Sequence, residues 1–296
     1  MNTDGRLVAA QCAERETELE HRINAAFRLD LSAAMMHCGT AITMQASAIS
    51  NISLAIAALL LCLGIRSDYS PRQPSRMDSL PRLTVWAWER REDLHSLDTQ
   101  KFAIAYLDQT LTIDRGVHSQ PRRDPVVFSA SSIRMPVIRI EATRLSVLDD
   151  ENRADAVRAI LPSAREPGIA ALQLDFDATR SQRQFYRKLL FDLRRQMPAN
   201  LPLSITALAS WCSWDGWLHD LPVDEAVPML FRMEPDRRRA PPDIDDFQIR
   251  EPLCQTSVGV STTEPWPSDL VGKRIYVFSD RGWRKDSPAD LERRLP

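Results

Sequence analysis

The sequence predicts an α/β fold, a (β/α)8 barrel of TIM type preceded by an N-terminal hydrophobic segment and a linker, and three observations carry that reading. Eight strand-like apolar runs recur between Leu83 and Ser279, the beat of a parallel barrel. Helical stripes or loops stand between them. Most of the runs end in a polar or aromatic residue just before a loop, which is where such a barrel gathers its site.

In chain order, residues 1–48 read as a poorly structured or helical extension. Asn51 to Ile65, NISLAIAALLLCLGI, is uncharged and apolar. It is short for a spanning helix, and residues 49–65 fit either a signal peptide or a single membrane anchor. The polar, proline-bearing stretch 66–82 reads as a linker. Residues 83–296 are the barrel-like domain. The expectation is export, to the periplasm or beyond, with residues 49–65 as the one membrane-contacting, inner-membrane-anchoring segment.

The runs are LTVWAW from Leu83, FAIAYL (Phe102–Leu107, ending at Asp108), Pro136–Ile140 (ending at Glu141), LQLDFDA (Leu172–Ala178), LSITAL (Leu203–Leu208), Ala226–Met233 (ending at Glu234), Ser257–Thr262 (ending at Glu264) and Arg274–Ser279 (ending at Asp280). Between the third and fourth, Asp149 or Asp150 caps a helix through Leu161, with Ala154, Val157 and Ile160 on its 3.6-residue period. After the fourth, Phe185, Leu189, Leu193 and Met197 stripe a second helix that Pro198 stops.

A net charge of −2 and scattered basic residues argue against a nucleic-acid partner. No phosphate-binding glycine loop and no Gly-x-Ser-x-Gly elbow is present, so nucleotide chemistry and serine hydrolysis have no support. Dispersed His and Cys give no zinc spacing, and no cofactor or metal is expected; an oxygen-only site of Asp175, Asp177 and Glu141 is the minor alternative. Cys212 and Cys254 are the two cysteines after the hydrophobic run. They could pair if the chain is exported; separate half-buried thiols are the favoured reading.

Alternation assigns faces. Gln173, Asp175 and Asp177 share one side of the fourth strand, opposite Leu172, Leu174 and Phe176. By the same parity Arg139 and Glu141, Ser204 and Thr206, and Arg232 and Glu234 point inward. Buried charges must pair, which assigns Arg139 and Arg232 first to a structural network. Trp88, Trp211, Trp214 and Trp266 follow strand ends and read as sugar platforms. Tyr106, Asp108, Glu141 and Glu234 read as hydroxyl-binding groups.

ALQLDFDATRSQRQFYRKLLFDLRRQMP followed by LSITALASWCSWDGWL resembles the bacterial domain-of-unknown-function family 3142, from about Leu83 to about Trp283. That resemblance implies a barrel-like bacterial domain and no established activity. LQLDFDA is also loosely similar to the fourth strand of chitinase-like retaining glycosidases, which carries acids at every second residue. On that pattern Asp177 stands at the catalytic position, and Gln173 replaces an acid. Glycoside hydrolysis uses one protonated carboxyl and one ionised carboxylate. The chosen pair is Asp177 with Glu264, with Asp175 perturbing Asp177. The expected function is a glycosidase-like barrel acting on an envelope or extracellular polysaccharide; the alternatives are a non-catalytic carbohydrate-binding barrel and an envelope assembly protein.

Overall fold

The computed structural model describes residues 75–231 and 247–295. The expected extension and hydrophobic segment lie outside the described residues. Eight parallel strands close into a barrel, and each coincides with one of the eight predicted runs. In chain order the strands are β1 (Leu83–Ala87), β2 (Glu92–Asp93), β3 (Phe102–Ile113), β4 (Val117–Pro121), β5 (Val126–Val127), β6 (Ile133–Ala142), β7 (Leu172–Asp175), β8 (Leu203–Leu208), β9 (Glu225–Met229), β10 (Ser257–Ser261) and β11 (Arg274–Phe278). The ring runs β1, β3, β6, β7, β8, β9, β10, β11, and closes where β1 pairs with both β3 and β11. Outside the ring, β4 pairs antiparallel with β3, and β2 with β5 forms a short parallel ladder.

Period-2 alternation divides the core. Inside the barrel, Trp86, Ala103, Ala105, Met135, Val137, Val227 and Tyr276 pack together. Gly259 also faces inward, and a Cβ there would sit 2.6 Å from the Met229 sulfur, so a side chain at this position would have to displace the end of Met229. Outside, Leu172, Leu174, Ile138 and Ile140 pack under two helices. These are α1 (Asp150–Ala164), capped by Asp149, whose carboxylate accepts from Asn152 N at 2.9 Å, and α2 (Arg183–Gln196). Phe185, Leu189 and Leu193 of the predicted stripe, joined by Leu190, are buried in the core that β7 and β8 share with α2, worth about 2 kcal/mol per side chain.

Two expectations are corrected here. Residues 75–82, assigned to the linker, form a capped turn: Ser75 and Asp78 close a capping box, and Met77 and Leu80 are buried in the barrel-interior cluster. Two apolar residues in a polar stretch are enough to anchor the turn. The second strand, expected to stop at Asp108, continues to Ile113 through a β-bulge. Leu107 pairs with Val137 and Gln109 with Ile138, leaving Asp108 as the extra residue. Below the bulge Ala103 and Ala105 face the lumen. Above it Leu111 and Ile113 face the outer core, so Thr110 and Thr112 take the inner face.

Candidate functional site

The lower lumen is polar, and one chain of contacts links its side chains, with Gln173 Oε1 and Arg274 Nε buried without partners. Gln173 donates to Ser204 Oγ (3.0 Å), Ser204 donates to Glu225 (3.0 Å), and Arg274 bridges to Glu225 at 2.9 Å. Tyr276 OH also donates to Glu225, and Arg274 to the Met77 carbonyl. Glu225 is 0% exposed; such a charge persists only with its partners. This network is a structural ion pair of the deep lumen that the sequence reading did not name; Arg139, expected in such a role, is ion-paired one step above it. Sequence reasoning missed it because Glu225 and Arg274 stand at the first residues of their strands.

One turn higher, β6, β7 and β8 bring three predicted residues together. Asp175 Oδ2 accepts from Arg139 Nη1 at 3.0 Å and Asp175 Oδ1 accepts from Thr206 Oγ1 at 2.7 Å. The Arg139 Nε donates to Glu141 at 2.9 Å. The guanidinium also lies over the Trp88 ring, 5.4 Å from its centroid, so Trp88 joins the mouth as expected from its place after β1. Arg139 thus touches two carboxylates and an aromatic face.

Asp177 lies two residues past β7, where Ala178 N donates back to the Phe176 carbonyl at 2.7 Å. Asp177 is exposed at the rim. Partial desolvation pushes its carboxyl above the ordinary value, the neighbouring Asp175 charge adds to this, and Arg139 opposes it. The pair therefore divides into one carboxylate held in an ion pair and one acid more readily protonated. Behind them, buried Tyr186 of α2 stacks edge-on against Phe176 at 5.1 Å between ring centroids. Its phenol is pushed well up by burial and by the two carboxylates, a neighbour the sequence reading missed.

Other predicted residues lie elsewhere. Tyr106 and Asp108 face away from the mouth, correcting their assignment to it. Tyr106 OH donates to Glu166 at 3.2 Å, and Asp108 accepts from Ser163 of α1 at 2.5 Å. The cause is parity before the bulge and the bulge itself. Trp211 is 1% exposed in the outer core, edge-on to Trp217 at 4.8 Å, which corrects its reading as an open platform. The turn of π-helix at Trp211–Asp215 curls it outward. Trp214 is 40% exposed, with Phe247 at 6.2 Å. Trp266 is half-buried under Arg294, its indole donating to the Ser261 carbonyl at 2.8 Å. Glu264 is half-buried in the β10–β11 loop and has an interaction partner of its own. Arg232 and Glu234 lie outside the described residues. Cys212 and Cys254 form a disulfide, with Cα atoms 5.8 Å apart, against the favoured expectation of separate thiols; it ties the turn after β8 to the turn before β10. Among the described residues no group of three or more His, Cys, Asp and Glu side chains is arranged to hold a metal ion.

No curated protein matches the chain. Among solved structures it resembles the Bacillus cereus spore cortex-lytic enzyme SleL, at 16% identity and a TM-score of 0.34, over 51% of this chain and 42% of that one. It also resembles the chitinase domain of the spore coat protein CotE from Clostridium difficile, at 11% identity and a TM-score of 0.39, over 72% of this chain and 66% of that one. Both likenesses are loose, and the chain spans less than two thirds of either protein. The resemblance noted in the sequence is met: the family model described as a domain of unknown function, DUF3142, matches residues 132–227, from the start of β6 into β9 and across Arg139, Asp175, Asp177 and Thr206.

Proposed function

We propose that the chain is a glycoside hydrolase-like barrel acting on an envelope or extracellular polysaccharide. The observation that carries this reading is the divided carboxylate pair at the mouth. Asp177, raised in pKa and open to solvent, is the group suited to protonate a glycosidic oxygen. Asp175, locked by Arg139 and Thr206, supplies fixed negative charge beneath a developing oxocarbenium ion. Glu264 follows β10, three places from β7 around the ring of eight, and is the carboxylate assigned to the opposite side of the anomeric carbon. As the bond to the leaving oxygen breaks, Asp177 gives up its proton, and water adds to the anomeric carbon with its proton passing to a carboxylate.

The buried Cys212–Cys254 disulfide supports an oxidising compartment, periplasmic or extracellular. A non-catalytic carbohydrate-binding barrel is the second reading, favoured by the complete engagement of Asp175 and by Gln173 standing where an acid would lie below it. A hydrolysis screen of polysaccharide preparations separates the two. Asp177→Asn is expected to lower turnover by about 10²–10⁴-fold with binding retained. Release of product by the variant at the wild-type rate removes the acid assignment, and binding without product from either protein selects the second reading.

A further inference from the structure

The strands β3 and β6 rise well beyond the rim of the ring, and β4 widens them into a wall beside the mouth. Their outer face is buried under α1 through Leu111, Ile113 and Ile140. Their inner face is a polar lattice. Gln120, Thr110, Arg139 and Asp175 are successive register partners across β4, β3, β6 and β7. His118, Thr112 and Glu141 form the next row up. At about 4.8 Å between strands, the first row spans roughly 14 Å. It begins at the edge of the sheet and ends at the ion-paired carboxylate.

An exposed polar sheet face is usually solvated surface. This one borders an open cavity of ≈ 390 Å³ lined by Glu89, Leu107, Thr110, Gln120, Arg122 and Arg123, among others, a volume within the range of small-ligand sites. The cavity lies beside the mouth: its lining residue Thr110 is the register partner of Arg139, and Glu89 follows Trp88, over which Arg139 lies. Its walls mix donors and acceptors of both signs. Arg122 is occupied by the carbonyls of Ala87 and Arg90. Arg123 meets the neutral Gln120 side chain, and Glu89 supplies a carboxylate. Mixed, nearly balanced polarity matches vicinal hydroxyl groups, each donor and acceptor at once, better than it matches a polyanion.

We propose that this wall and cavity form subsites for an uncharged oligosaccharide chain, so that the barrel binds within a glycan rather than at a single sugar. The assignment rests on the carbohydrate reading above. The test is calorimetric titration of the full chain with β-1,4-linked glucose and N-acetylglucosamine oligomers, from disaccharide to octasaccharide. Wild-type affinity should rise with length. A Thr112→Val/Gln120→Ala double variant, altered at two exposed positions, should lose about tenfold in affinity for long oligomers while short ones bind unchanged, and its melting temperature serves as the folding control. Equal affinity at all lengths, or a double variant that binds long oligomers like the wild type, overturns the wall assignment and leaves the carbohydrate reading standing. Length-dependent binding without hydrolysis keeps the wall and removes catalysis. No binding of any oligomer removes both for these glycans.

Discussion

Replacing both Cys212 and Cys254 with Ser opens a loop whose ends are 42 residues apart in sequence. In the chain-entropy description, a cross-link of that span removes about 13 cal/mol/K from the unfolded ensemble, or about 4 kcal/mol at 25 °C. The native state keeps other ties at the same place, since Arg250 N and Glu251 N donate to the Cys212 carbonyl at 2.9 and 3.0 Å. The loss should therefore fall mainly on the unfolded side, with the slope of the urea transition little changed relative to the reduced wild type. For a domain of this size the melting temperature should fall by about 8–16 °C. Urea unfolding followed by tryptophan fluorescence measures the change, with Trp211 as a buried reporter beside Cys212. Non-reducing peptide mapping checks the linkage itself. A double variant as stable as the wild type, or an unreduced wild type whose Cys212 and Cys254 peptides separate without reductant, would refute the reasoning.

Arg139→Met removes the cation that opposes the raised Asp177 carboxyl. The Asp177 pKa should climb further, and the alkaline limb of any hydrolytic pH profile should move to higher pH, at a stability loss of about 1–3 kcal/mol because solvent reaches this pair. A profile that stays in place argues against Asp177 as the acid. Asp108 has its carboxyl raised by burial, partly offset by the Ser163 hydrogen bond. A raised folded pKa means the native state holds its proton longer, so stability falls as pH climbs from the ordinary carboxylate value through the folded one. Asp108→Asn should accordingly stabilise the protein near neutrality and give no gain below the ordinary value, as thermal unfolding at both pH extremes would show. Glu225→Ala strands Arg274 in the lumen and should cost about 3–5 kcal/mol by urea unfolding. Glu225→Gln, which keeps an acceptor for Ser204 and Tyr276, should cost less.

The ring was legible because each strand is a separate apolar run bounded by polar loop residues. The mouth was partly legible for the same reason: alternation alone placed Asp175, Arg139 and Thr206 on one inward face, and they meet there. What escaped depends on contacts between distant segments. Trp211 and Trp214 look alike in sequence, and only the outward curl tied down by Cys212 buries the first while leaving the second exposed. The polar letters around Met77 conceal that its side chain enters the barrel. Glu225 and Arg274 are separated by about fifty residues, and nothing local pairs them.

The bulge at Asp108 makes the register of β3 a matter of counting rather than of composition. The same strand is barrel lining below that residue and groove wall above it, and the one supernumerary position inverts its phase. Substitutions along Gln109–Ile113 that keep the alternation should be accommodated, whereas deleting a single residue would turn Leu111 and Ile113 toward water and bury both threonines. Divergence in this part of the chain should then proceed by exchange of side chains at fixed length, with gain or loss of residues confined to the turn that joins β3 to β4.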